Sequence, residues 1–242
     1  MKENFDGKME EVLRKWEEKE NRKPRIFLHS CCGPCSTAVI ERLYERSELT
    51  VFYYNPNIDD RREYEKRLVT QKEYLRRRYG RIWEEGLEKA GFKERRIGFM
   101  KGAYDPGAFY EAIKGLEEQP EGGSRCQLCF ALRLRETAKR AKEENADFFA
   151  TTLSVSPMKD AWLLNRIGLE LQEEMGIAYL PADFKKRGGY QRSIFLSRAF
   201  GLYRQHYCGC SFGRIRQERE TKRRELEKNE KLWEQEASLG KK

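Results

Sequence analysis

Histidine is nearly missing from this chain, with only His29 and His206, and no cysteine lies outside three short segments. No stretch approaches the ~20 apolar residues that a membrane span requires. Residues 1–23 lack the apolar centre of a signal peptide, so a cytoplasmic protein without a membrane partner is expected. No Walker or dinucleotide-binding motif occurs and no internal repeat is visible, which leaves the common nucleotide folds and the solenoids without support. At 242 residues the chain can bury a core without crosslinks. In a reducing compartment its cysteines therefore point to metal binding or redox work.

Charge, in contrast, is abundant. Lys and Arg number 49 against 40 Asp and Glu, a formal net charge of +9 that suits a polyanionic partner. Charged residues make up 37% of the chain, however, and solvated helix faces account for such a composition equally well. Short apolar runs at 25–29, 49–54, 147–152 and 177–180, with a weaker one at 96–100, read as strands. Helical patterns at 36–46, 59–79, 104–116, 126–144, 160–174 and 193–204 separate them. Such alternation predicts one α/β domain over 24–210, a mostly parallel sheet flanked by helices. Residues 1–23 carry Met9, Val12, Leu13 and Trp16 at helical spacing and read as an accessory helix. Residues 211–242 are almost wholly charged and read as a helical or disordered tail.

The cysteines stand as Cys31-Cys32-Gly33-Pro34-Cys35, Cys126-Gln127-Leu128-Cys129 and Cys208-Gly209-Cys210. Each histidine falls two residues before one of these clusters, so soft ligands and near-neutral titrating groups are gathered together. The first cluster follows the first strand, and in an open parallel sheet ligands bind beyond the carboxyl ends of the strands. Three readings compete. Cys32 and Cys35 have the spacing of a thioredoxin-like pair, which leaves the other cysteines unexplained. Cys32/Cys35 with Cys126/Cys129 make a four-thiolate zinc site and leave Cys31 and the last pair idle. An iron–sulfur cluster on four thiolates with a separate redox pair accounts for all but one. Cys208 and Cys210 flank a glycine that permits a tight turn; a disulfide there is strained and easily reduced, and the alternative is that the two are further metal ligands.

Six segments then carry a resemblance. They are 29–36 (HSCCGPCS), 52–58 (FYYNPNI), 125–129 (RCQLC), 151–160 (TTLSVSPMKD), Asp183-Phe184-Lys185-Lys186 with Arg192-Ser193, and 203–210 (YRQHYCGC). In this order the chain resembles the QueH family, cobalamin-independent epoxyqueuosine reductases of tRNA modification. The resemblance implies a nucleotide α-hydrolase-like, Rossmann-type fold and reduction of epoxyqueuosine to queuosine at the wobble position of a tRNA anticodon. It also implies a [4Fe-4S] cluster on Cys31, Cys32, Cys126 and Cys129, and a redox-active disulfide between Cys208 and Cys210. ATP is not expected. The Ser-Gly-Gly-x-Asp-Ser phosphate loop of related folds is replaced by Ser30-Cys31-Cys32-Gly33-Pro34-Cys35, where Pro34 removes a backbone donor.

Removing an epoxide oxygen as water takes two electrons and two protons, together with a group that draws charge from the departing oxygen. Thiols supply the electrons, relayed from an external donor. A second, mononuclear iron is a further expectation, with Cys35 either its ligand or a small packing residue, the latter favoured. Asp160 and Asp183 follow strand ends and are candidate proton donors or metal ligands, although Asp160 also reads as a helix cap. Lys185, Lys186 and Arg192 sit in a basic, glycine-containing loop with Tyr190, a composition suited to phosphates and a splayed base. The competing class is a zinc-stabilised, non-catalytic RNA-binding protein. Replacing Lys185 and Lys186 by Ala is expected to weaken tRNA binding and flatten its salt dependence; unchanged affinity across salt concentrations takes this loop off the binding surface.

Overall fold

The structure, a computed structural model, describes residues 3–80, 83–85 and 97–239. Six strands form one parallel sheet: β1 (Arg25–Ser30), β2 (Glu48–Tyr53), β3 (Trp83–Glu85), β4 (Ile97–Lys101), β5 (Phe148–Thr151) and β6 (Ala178–Tyr179). Their order is β3-β4-β2-β1-β5-β6, and every neighbouring pair runs parallel. The expected α/β architecture is therefore present, and it is Rossmann-like. β3 was not among the expected strands.

Side-chain alternation explains why these segments are strands. Along β1, Ile26 and Leu28 enter one core with Leu49, Val51, Tyr53 and Ala150, while Phe27 enters a second with Phe52 and Phe149. Both faces are apolar because both are covered by helices, as a parallel sheet requires. α2 (Gly33–Tyr44) and α3 (Arg61–Tyr79) cover the first face, with Val39, Ile40, Leu43, Tyr74 and Leu75 in its core. α5 (Ser124–Glu143) and α6 (Ala161–Met175) cover the second through Phe130, Leu134, Leu163 and Leu164. α4 (Pro106–Ala112) is a short link before α5. α6 packs tightly on the edge strand: a Cβ at Gly168 would lie 2.4 Å from the Tyr179 ring, so only glycine fits.

Element ends follow local chemistry. Asp60 accepts from the backbone N–H groups of Arg62 and Glu63 and starts α3; Asp105 caps α4 through Ala108. α2 begins at Gly33, three residues earlier than expected, because Pro34 occupies the first turn, where a missing N–H is harmless. The strand expected over 147–152 stops at Thr151, whose hydroxyl accepts from Leu153 N–H and turns the chain into a single 3-10 turn, Thr152–Val155. α7 (Gly189–Ala199) starts four residues before its expected position, after the left-handed Gly188. A Cβ at Gly189 would meet the Phe184 carbonyl oxygen at 1.9 Å.

The terminal segments are structured as well. α1 (Phe5–Lys19), read as accessory, places Met9 and Leu13 at 1% exposure in the first core, and Trp16 stands edge-on to Phe148 at 5.3 Å. Arg22 then pins the following turn with two hydrogen bonds to the Asp147 carboxylate, 2.6 and 2.7 Å. α8 (Ser211–Leu239) begins directly after Cys210. Leu13→Ala should lower stability by about 2–5 kcal/mol in urea unfolding, since it deletes a buried side chain from a close-packed core. A loss under about 0.5 kcal/mol would show that α1 is not part of that core.

Candidate thiol and metal centre

The carboxyl end of β1 runs directly into the first cysteine segment. Cys31 continues the side of the strand that carries Phe27 and His29, and Cys32, with φ −176°, is the extended residue before α2. The Sγ atoms of Cys31, Cys32 and Cys35 all lie within 4.8 Å of one another, and those of Cys31 and Cys32 are 3.7 Å apart. Cys32 is fully buried and Cys31 nearly so. Cys35, expected to pack, does touch both apolar cores, yet it also completes this thiol triad.

The three thiols titrate unequally. Hydrogen bonds from the Cys32 and Cys35 thiols hold Cys31 well below the usual thiol range despite its burial, with Arg133 and Lys159 adding to the effect. Burial and the neighbouring Cys31 charge push Cys32 up to about 12, and the contact with Cys31 raises Cys35 too. Negative charge in the triad is thus favoured on Cys31 over its two neighbours. Gln205 Nε2 donates to Cys32 Sγ at 2.8 Å, while its Oε1 is buried with no partner among the described residues.

Positive charge converges on this triad from two elements. Arg133 of α5 is buried to 1% exposure without a carboxylate partner among the described residues; it donates to Asn55 Oδ1 at 2.6 Å, and its Nε lies 3.3 Å from His29 Nε2. Burial works against its charge, and the thiols of Cys129, Cys31 and Cys208 outweigh that and raise its pKa. Lys159 Nζ donates to Cys208 Sγ at 3.4 Å. Burial pulls its pKa down and the same kind of neighbour, Cys208 first and then Cys31, raises it above the usual lysine range. His29, desolvated and beside Arg133, is lowered to about 3, so a neutral ring links Thr151 Oγ1 at 2.9 Å to the Tyr54 carbonyl at 3.0 Å. That histidine ties β1 to β5 and β2.

The other two cysteine segments meet beside the triad. Cys126 and Cys129 occupy the first two turns of α5, and with Cys208 and Cys210 they line a small cavity shared with Asn57 and Phe109. Burial raises the thiols of Cys126, of Cys129 to about 11 and of Cys210 to about 12. Cys208 lines this cavity and also a larger one of about 400 Å³ whose floor includes Cys31 and Cys35. Gly209, at φ +131°, makes the tight turn between the pair, and a Cβ there would lie 2.8 Å from Ile58 Cγ1. Arg67 fixes the turn to α3 by donating to the carbonyls of Tyr207 at 3.2 Å and Cys208 at 3.0 Å, with its Nε on Glu63 at 2.6 Å.

The remaining expected residues lie apart from both cavities. Asp160 is exposed and caps α6, accepting from Trp162 N–H at 2.8 Å. Asp183 is paired with Lys185 at 3.0 Å, and Lys186 is exposed. Arg192 reaches Glu41 through two hydrogen bonds, 2.7 and 2.8 Å. Only Tyr190 and Ser193 of that basic loop line the larger cavity. Three of the loop's four cations are occupied locally: Arg192 by Glu41 of α2, Arg187 by Asp6 of α1 at 2.8 Å and Lys185 by Asp183.

Arg133, Arg67 and Gln205 had been assigned no role. Arg133 was nonetheless readable, since it stands four residues after Cys129 and seven after Cys126 and so shares their helical face. Arg67 and Gln205 carried no such signal.

Three thiols within 4.8 Å, with no carboxylate or imidazole in the group, form a donor set suited to a thiophilic metal. Comparison with known proteins agrees with that chemistry. The family model described as "Epoxyqueuosine reductase QueH" matches residues 26–216. Proteins of the same name are similar to the chain: one from Staphylococcus epidermidis is 36% identical over 216 residues, 88% of this chain and 86% of that one. Another from Streptococcus pyogenes serotype M1 is 37% identical over 209 residues, 86% and 77% of the two chains. One from Thermotoga maritima is 32% identical over 206 residues, 83% and 95%. A match across most of both chains, including all three cysteine segments, shows that this chain belongs to the QueH family.

Proposed function

We propose that this chain reduces the epoxide of epoxyqueuosine to the alkene of queuosine in the wobble nucleotide of tRNA. Two electrons and two protons enter, and the oxygen leaves as water. The observation that carries this reading is the meeting of all three cysteine segments around Cys208, with buried Arg133 and half-buried Lys159 as cations beside them. A buried cation without a carboxylate is stable only beside negative charge, and metal-bound thiolates provide it.

On this reading Cys31, Cys32, Cys126 and Cys129 hold a [4Fe-4S] cluster, and Cys35 is the donor available to a second, single iron. Such a centre, when bound, supplies single-electron transfer and Lewis acidity toward oxygen. The chain's own groups do the remainder. The cavity of about 400 Å³ is large enough for one nucleoside-sized group. Reaching it requires the wobble base to leave the anticodon stack, as enzymes acting on bases generally demand. Lys159, directed into the cavity at Cys208, is placed to stabilise negative charge on the departing oxygen and to deliver a proton to it. Gln205 holds Cys32 by its amide N–H.

Cys208 and Cys210 form the redox pair, cycling between dithiol and disulfide with an external electron donor. Cys208 faces the open cavity, and Cys210 lies behind it at 9% exposure. Among the described residues no helix is long and apolar enough to cross a membrane. We assign the work to the cytoplasm, where tRNA is found.

Anaerobically purified protein should contain iron and acid-labile sulfide, and Cys32→Ser should lose both together with the visible chromophore. Zinc alone, with neither iron nor sulfide after anaerobic reconstitution, sinks the reductase reading and leaves the zinc-stabilised RNA-binding one. Cys208→Ser should retain the metal yet fall to at most one turnover of epoxyqueuosine per chain when reductant is supplied. Sustained multiple turnover at the parent rate would remove Cys208 from the electron path.

A further inference from the structure

The cavity over the thiol triad is not closed by the cysteine segments alone. One of its walls is α8, through Gly213, Arg216, Gln217, Glu220 and Arg224. These positions lie three, four, seven and eleven residues beyond Gly213, so they form one stripe on the helix. The family match ends at residue 216, hence most of this wall lies beyond it.

The cavity's charge is lopsided. Arg67, Arg133, Lys159, Arg204, Arg216 and Arg224 line it against Glu121 and Glu220. The deep cations are engaged, Arg67 by Glu63, Arg133 by Asn55 and Lys159 by Cys208. At the rim, Arg216 is held at 2.8 Å by Glu220 and at 3.3 Å by Glu121. Arg224 is exposed and has no hydrogen bond or ion pair among the described residues. Arg216 and Arg224 are eight residues apart, about 12 Å along the axis. One free phosphate cannot span that distance, whereas a nucleic-acid backbone can. Beside them Met158, 71% exposed, together with Tyr190 and His206, offers flat or apolar surface on the same rim.

We propose that this stripe of α8 is an RNA-backbone contact: Arg224 and Arg216 hold phosphates flanking the nucleotide whose base enters the cavity. The proposal rests on the tRNA reading above. Phosphate contacts of this kind set register and orientation, and leave the chemistry to the floor of the cavity.

The test uses the full, metal-loaded chain and tRNA carrying epoxyqueuosine, with affinity measured by fluorescence anisotropy from 50 to 200 mM salt. Arg224→Glu should weaken binding about tenfold at the lowest salt and make the salt slope shallower by about one. Lys222→Glu, the same change of net charge on the opposite side of α8, should stay within about twofold of the parent. Equal losses in the two variants, or no loss in Arg224→Glu, would overturn the proposal; both side chains are exposed, so unchanged thermal unfolding confirms that folding is not the cause. A parent chain that binds this tRNA no better than an unrelated RNA overturns the tRNA reading itself, and the proposal with it.

Discussion

A guanidinium buried at 1% exposure, with no carboxylate partner among the described residues, is the constraint around which this site is arranged. Charge removed from water costs several kcal/mol unless it is paired and hydrogen-bonded. Arg133 meets that demand with the Asn55 amide and the negative potential of the cysteines, Cys31 after β1 and Cys129 on α5 among them. Its partners come from β1, the end of β2 and α5, so satisfying one charge fixes the relative positions of three elements. His29 is neutral for the same reason, which lets it serve as a strand tie and not as an acid. Lys159, half-buried at the same centre, is balanced by Cys208 and Cys31 in the same way.

The sheet topology explains where that charge can be used. β1 is central, with β2 on one side and β5 on the other, so the segments following its carboxyl end open between two sets of helices. Thiols placed there have covered flanks and one accessible direction, the cavity of about 400 Å³. Cys208 arrives from a distant part of the chain on a turn that only a glycine can make, and Arg67 fastens it by two backbone carbonyls. The site is thus rigid at its floor and polar at its rim, an arrangement suited to admitting a large, charged substrate by one nucleotide only.

Much of the fold was legible because a parallel sheet buried on both faces writes itself as short apolar runs, and its helices as amphipathic ones. The expected strands at 25–29 and 49–54 match β1 and β2 closely. Boundaries were less legible where tertiary contact decides them: the Thr151 hydroxyl ended β5 early, and the approach of Phe184 to Gly189 started α7 early. β3 has only three residues, too short for any period to show. α1 looked accessory since its few apolar residues are diluted by charge, yet Met9 and Leu13 suffice to seal a core. In the site, spacing grouped the cysteines, whereas composition cannot reveal that Arg192 faces Glu41 or that Lys185 faces Asp183.

By itself the sequence determined the fold class, the grouping of sulfur chemistry into three segments and the family to which they belong, because each depends on residue type and local spacing. Tertiary structure alone decided how those thiols are divided. Cys35 joined Cys31 and Cys32, Cys208 came to face both cavities, and α8 became a wall of the larger one. The physical reason is that thiolate charge is set by what lies within a few ångströms, and those neighbours, Arg133, Lys159 and Gln205, come from segments separated by up to 173 residues.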